Sequence, residues 1–368
     1  MPPSSTTVFQ GMSSEPRPVA AELDAVVIGA GQAGLSSSYF LRRAGIEHVV
    51  FDHNPAPGGA WQHRWDSLTV ANTHGVYDLP GLPLDFGHLD PALHANSAIP
   101  AYFGDYEHRF ELPIRRPVSV TAVREHGDGR LLVETSAGDY VTRALVNATG
   151  TWEKPFWPHY PGLGSFRGRM IHSAGYTSAA EFAGKKVVVV GGGASALQHL
   201  LEISEVAATT WVTRREPVFS TEEFSEERGR MAVAKVDARV RAGLPPESVI
   251  SVTGYSLTPT IKAAMERGIL DRLPMFDRIT PDGVAWDDGR FVPADAIVWA
   301  TGFRASLDHL APLKLREPGG GIRMDGTRVA ADARVHLVGY GPSASTVGAN
   351  RAGRAAVKEI RALLANVN

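Results

Sequence analysis

The run from Asp24 to Asp52, DAVVIGAGQAGLSSSYFLRRAGIEHVVFD, restricts the fold more than any other part of the chain. Ala25-Val26-Val27-Ile28 has the length and β-branched content of a buried parallel strand, and Gly29, Gly31 and Gly34 follow it at GxGxxG spacing. A helical stretch with Leu35, Tyr39 and Leu41 stops at Gly45, after which His48-Val49-Val50-Phe51 reads as a second strand closing on Asp52. Glycine-rich turns alone occur in many loops, so the evidence lies in strand, turn, helix, strand and acid falling in register. Gly29 makes the tight turn, Gly31 lets backbone approach a pyrophosphate, and Gly34 lets helix and strand pack closely. The helix start adds N–H groups and partial positive charge. Asp52, about 20 residues further on, is placed to accept hydrogen bonds from a ribose. These features predict a dinucleotide site.

The pattern then recurs. Val187-Val188-Val189-Val190 is a pure β-branched strand, followed by Gly191, Gly193 and Ala196 at the three fingerprint positions, with Ser195 able to hydrogen-bond near the helix start. The next strand, TTWVT, ends in Arg214-Arg215 where the first unit has an acid. Guanidinium groups there suit a 2′-phosphate, although two solvated charges at a strand end leave the same trace. The expected fold class is α/β, with two Rossmann-like dinucleotide-binding domains.

Between the two units, PAPGGAWQHRW places two glycines before an indole, which suits backbone wrapping a flat ligand with Trp61 as a stacking surface, or a surface loop with a packed Trp. Asn72 and Thr73 follow in irregular chain, and residues 97–110 read as a helix burying Ile99, Phe103, Tyr106 and Phe110. Residues 117–147 have strand periodicity and predict a three-stranded β-meander inserted in the first domain, its last strand delivering Ala148-Thr149-Gly150, with Thr149 a candidate cofactor contact. A second Ala-Thr-Gly, residues 300–302, marks a return crossing, and the strand at Val335 to Val338 completes the first sheet. The first domain is therefore discontinuous, over residues 22–155 and 300–368, with the second over 156–299 and a flexible tail over 1–21.

Composition narrows the chemistry. Cysteine is absent from all 368 residues, which removes thiolate nucleophiles, disulfides and zinc-thiolate sites, so redox work must be borrowed from a cofactor; no metal site is expected. A net charge of −2 gives no basic field for nucleic acid, and no apolar run reaches the eighteen or so residues of a membrane span, so the expected location is the cytoplasm.

The chain resembles the flavin-dependent monooxygenases of the two-dinucleotide-binding-domain flavoprotein group from about residue 23 onward. FRGRMIHSAGY, with Phe166, Gly168, His172 and Tyr176, matches their FxGxxxHxxxY/F signature just ahead of the second glycine motif. The resemblance implies FAD on Gly29, Gly31, Gly34 and Asp52, and NADPH on Gly191, Gly193, Ser195, Arg214 and Arg215. It implies hydride transfer from NADPH to flavin, a C4a-hydroperoxyflavin, and oxygen transfer to a soft nucleophile, nitrogen or sulfur, on a small molecule. Asn72 is the implied catalytic residue, Trp61 lies near the flavin, and the helix start around Thr346 directs its positive end at the flavin pyrimidine. Tyr176 is followed by Thr177-Ser178, unlike the Baeyer-Villiger form of the signature, so heteroatom oxygenation ranks ahead of ketone oxidation. The implied partners are substrate and molecular oxygen, with a homodimer left open. The alternatives are an NADPH-dependent flavoprotein reductase of the ferredoxin-reductase kind, an NADPH oxidase, and a non-catalytic dinucleotide sensor.

Overall fold

The computed structural model describes residues 19–73, 76–84, 90–220, 226–246 and 254–366. Strand β1 (Val19–Ile28) leads through α1 (Gln32–Arg43) to β2 (His48–Phe51), which lies parallel to it with Ala25 opposite His48 and Ile28 opposite Phe51. The last four residues of β1 and all four of β2 are buried, which is why both read as continuous apolar runs instead of alternating ones. Residues 19–21, expected in a tail, are strand: Val19 pairs with Asp139 and Ala21 with Tyr140. The rest of the expected tail lies outside the described residues.

Helix α2 (Ala95–Arg109) buries Ile99, Phe103 and Tyr106 and leads to β3 (Ile114–Arg115), beyond β2. The strands β4 (Val120–Glu125), β5 (Leu131–Thr135) and β6 (Gly138–Asn147) form an antiparallel meander, and β6 also runs parallel to β1 along nearly its whole length.

A second sheet begins with β7 (Arg169–His172), β8 (Lys186–Val190), α3 (Ala194–Ser204) and β9 (Ala208–Thr213). After β9 come α4 (Glu226–Arg241) and α5 (Pro259–Glu266), together with a parallel pair, β10 (Phe219–Ser220) with β11 (Tyr255–Ser256). After β12 (Arg272–Pro274) come three short antiparallel strands, β13 (Arg278–Thr280), β14 (Gly283–Ala285) and β15 (Phe291–Pro293). Strand β16 (Ala296–Trp299) closes the parallel sheet in the order β12-β9-β8-β16-β7.

The chain then returns to the first sheet as β17 (Met324–Asp325), β18 (Arg328–Val329) and β19 (Asp332–Leu337), ending in α6 (Thr346–Ala365). The order is β17-β18-β19-β6-β1-β2-β3, with β5 along the first half of β6 and β19, parallel, along its second half. One buried cluster runs from Val27, Val50 and Val146 through Trp65 and Tyr176 to Val187 and Val189, so the two sheets share apolar packing. No helix among the described residues is long and apolar enough to cross a membrane.

Candidate active site

Both glycine turns stand at the carboxyl ends of parallel strands, where open α/β sheets bind ligands. In the first, Gly29 has φ +95°, and a Cβ there would stand 2.7 Å from the Ala148 carbonyl oxygen. A Cβ on Gly34 would lie 1.8 Å from the Gly29 oxygen. Gly31 caps α1 without a side-chain hydrogen bond, and the first turn holds no acid, so no side chain competes for those amides. The GGAW turn rests on this motif, since a Cβ on Gly59 would be 2.7 Å from the Gly31 Cα.

Trp61 is half-buried in a short 3-10 turn, Gly59–His63. The Arg64 guanidinium lies 5.5 Å from its ring centroid and 5.1 Å from that of Trp152. Arg64 has no carboxylate partner among the described residues, its buried Nε lacks any hydrogen bond, and burial lowers its pKa. Asp52 is buried at the end of β2, where Oδ1 accepts from the backbone N and Nδ2 of Asn54, both at 3.1 Å. Arg116, bidentate on Glu107, reaches Oδ2 at 3.4 Å. A carboxylate has about four acceptor positions, so one is left for a ribose.

In the second turn Gly191 has φ +144°, and a Cβ on it would be 2.2 Å from the Ala300 oxygen. Trp211 Nε1 donates to its carbonyl at 2.8 Å, and Ala196 is buried at the third position. A Cβ on Gly193 would meet only open space. Gly193 caps α3, again with no side-chain hydrogen bond. The bond expected of Ser195 at the helix start is not made among the described residues, because Ser195 is the second helical residue and not the cap. Arg214 and Arg215 are exposed just past β9, and neither pairs with a carboxylate among the described residues.

The two Ala-Thr-Gly crossings are joined to each other. Pro155 bridges Phe303, Phe156 N donates to Gly302 O at 2.9 Å, and Ser306 N donates to Gly150 O at 3.0 Å. The Thr149 hydroxyl donates to Ser306 O at 2.6 Å and accepts from Asn147 Nδ2 at 3.0 Å, so it serves the crossing. His172 serves it too: Nδ1 accepts from Ala174 N at 3.1 Å, which leaves Nε2 as the donor to Gly302 O at 3.1 Å. Burial lowers its pKa, and a neutral imidazole fits both bonds.

Asn72 ends a 3-10 turn, Val70–Asn72, and is exposed. Its carbonyl accepts from Gln198 Nε2 of α3 at 2.9 Å, while its side-chain amide has no partner among the described residues. Four residues along α3, Glu202 accepts from Trp65 Nε1 at 3.1 Å, Ser67 Oγ at 2.7 Å and the signature's Tyr176 hydroxyl at 2.9 Å. Burial, with this carboxylate beside it, pushes the Tyr176 phenol up. His199 lies between them, fully buried, its ring centroid 4.0 Å from that of Tyr176 and 4.7 Å from that of Trp65. Burial and the nearby Arg64 cation push it down to about 3. Arg64, Gln198 and Glu202 escaped the sequence reading. Their trace was slight: a glutamine and a glutamate at i, i+4 on one helix, and an arginine three residues after the GGxW tryptophan.

At the far end of the chain, Thr346 opens α6 behind its cap Ser345, whose Oγ accepts from Gly348 N at 3.0 Å. Gln32 Nε2 donates to Asn350 Oδ1 at 3.0 Å and Asn350 Nδ2 to Asp78 O at 2.6 Å, so the start of α6 sits against the start of α1. No group of three or more metal-ligating side chains occurs among the described residues.

A family model of pyridine nucleotide-disulphide oxidoreductases matches residues 26–318, spanning both turns and both crossings. The chain belongs to this family. Among solved structures, this chain is similar to a flavin-containing monooxygenase from Stenotrophomonas maltophilia, at 38% identity and a TM-score of 0.80 over 93% of this chain and 99% of that one. It is 32% identical over 196 residues to the uncharacterised oxidoreductase CzcO of Bacillus velezensis, a match covering 53% of this chain and 56% of that protein. An indole-3-pyruvate monooxygenase of Oryza sativa is 28% identical over 77% of this chain and 75% of its own length. The chain thus spans little more than half of the CzcO proteins it matches, 56% and 53% of their lengths.

Proposed function

We propose that this oxidoreductase is an FAD- and NADPH-dependent monooxygenase that places one oxygen atom on a soft nitrogen or sulfur nucleophile of a small molecule. The observation that carries the reading is the pair of glycine turns, each ending a buried strand and each opening a helix whose first amides no side chain caps. The disulfide chemistry in the family's name has no thiol to work with, since cysteine is absent.

When bound, FAD would accept hydride from NADPH and deliver the electrons to molecular oxygen. Gly31 and the α1 amides hold its diphosphate, and the free acceptor position of Asp52 takes its ribose. Trp61 supplies an apolar wall, and the uncapped-by-acid start of α6 at Thr346 stabilises negative charge on the ring. Gly191, Gly193 and the free Ser195 hydroxyl take the NADPH diphosphate, with Arg214 and Arg215 neutralising the 2′-phosphate. Asn72, its side-chain amide unengaged, would offer Nδ2 as a hydrogen-bond donor to reacting oxygen at the bound flavin. This chemistry fits a cytoplasmic protein working without nucleic acid or membrane.

The test is aerobic turnover of the purified yellow protein with NADPH and a panel of small amines and sulfides. The expected result is NADPH consumption matched by oxygenated product. Consumption that yields hydrogen peroxide whatever substrate is present would instead identify an NADPH oxidase. Replacing both Arg214 and Arg215 with Ala is expected to raise Kd for NADPH about tenfold while leaving NADH within about twofold. Equal losses for both nucleotides would remove the phosphate role.

A further inference from the structure

Helix α3 begins at the second glycine turn, and the segment bearing Asn72 hangs from its side. Gln198 holds the Asn72 carbonyl at 2.9 Å, and Glu202, one turn later on the same face, takes hydrogen bonds from Trp65 and Ser67 at 3.1 and 2.7 Å. The third donor to Glu202 is Tyr176, at 2.9 Å, from the segment between β7 and β8 of the second sheet. Trp65 and Tyr176 are buried, and His199 packs against both rings, edge-on to Trp65 and tilted against Tyr176. On its other side the segment is tied to the first half of the chain: Val70 N donates to Leu93 O at 2.8 Å and Ala71 N to Pro91 O at 3.2 Å. Residues 65–73 therefore span the gap between one sheet's loops and the other sheet's nucleotide helix.

We propose that Gln198 and Glu202 are positioning residues that make the placement of Asn72 depend on nucleotide at the second turn. This inference rests on the reading of Asn72 and of that turn given above. A diphosphate bound to the amides at the start of α3 fixes the helix as a rigid body. Groups hung from its side are fixed with it, so occupancy at Gly191 to Ala196 is transmitted to Trp65, Ser67 and Asn72. The oxygen-handling amide is then held more firmly while the nicotinamide nucleotide is present. Charge is not essential at position 202. A glutamine of equal volume keeps one acceptor oxygen for Trp65 and offers an amide N–H to the Tyr176 or Ser67 hydroxyl.

Hydrogen–deuterium exchange on the FAD-loaded protein, with and without saturating NADP⁺, tests this. In the wild type, NADP⁺ is expected to slow exchange both at residues 191–196 and, about fivefold or more, at residues 65–73. In Q198A and E202A, protection at 191–196 is retained and protection at 65–73 is lost, while E202Q restores it. Q198A removes a half-exposed side chain and one hydrogen bond, so it stays folded if E202A does not. Wild-type protection confined to 191–196, or full protection at 65–73 in Q198A, would overturn the coupling alone. No protection at 191–196 in the wild type would overturn the nucleotide reading beneath it as well.

Discussion

A methyl group on Gly34 would stand 1.8 Å from the Gly29 oxygen, whereas one on Gly193 would meet nothing within 4 Å. Gly34 holds the third place of its motif and Gly193 the second of its own, and they carry different burdens, one in chain packing and one in ligand approach. Gly34→Ala is expected to destabilise the fold by on the order of 3 kcal/mol, read as a lower urea midpoint, with loss of retained flavin. Gly193→Ala should leave that midpoint unchanged and raise the KM for NADPH about tenfold, because the methyl occupies the approach to the diphosphate. Buried imidazoles set the acid limit. His199 is pushed down to about 3, and His309 and His336 to about 4, in each case chiefly by burial. The unfolded chain binds protons on these rings below about pH 6.5, while the folded chain keeps them neutral until about pH 4. Stability is therefore complete above pH 6.5 and falls as pH drops toward 4, by roughly 2 kcal/mol per ring at pH 5. His309→Gln, which keeps a donor toward Asn147 Oδ1, should lessen the fall in urea midpoint between pH 7.5 and pH 5. The glycines were legible in the sequence because their spacing is local. The hold of Arg116 on Asp52 was not, since 64 residues separate the two.

Elements buried on both faces declared themselves. The four valines of β8 and the core of β1 are apolar without interruption, and only a parallel strand covered on two sides has that composition. Strands of two or three residues, such as β10, β11 and β12, left no period to detect, since pairing with distant partners and not local preference makes them strands. The early part of β1 was missed for the same reason, as its exposed residues are ordered by β6. Helix α3 was placed by its glycine turn, yet the work of Glu202 was hidden, because a lone carboxylate on a helix usually faces water. For α6 the sequence indicated a start, and the structure supplies the cap. Ser345→Ala removes the acceptor for Gly348 N and should cost about 1 kcal/mol, seen as a lower thermal midpoint. If the α6 amides stabilise charge on the bound ring, the same change should also shift the flavin midpoint potential. An unaltered potential would confine Ser345 to stability.

At the scale of the whole molecule, recurrence of one motif and one tripeptide conveyed the two-sheet plan, because each repeat marks the same structural event. How the halves are fastened was not legible: the paired crossings and the α3 contacts join residues far apart in the chain, as does the α1 contact with α6 within the first half. The placement of β19 beside β6 has its own consequence. The second sheet is complete once residue 299 has been made, but the first still lacks a neighbour for β6 until residues 332–337 appear. On a translating ribosome, the second sheet can thus form early, while the first waits, open-edged, until residues 332–337 have been made. Released chains ending at residue 320 should bind NADP⁺ analogues but not flavin, and chains that include all of α6 should bind both. Yellow colour would then mark chains that already contain β19.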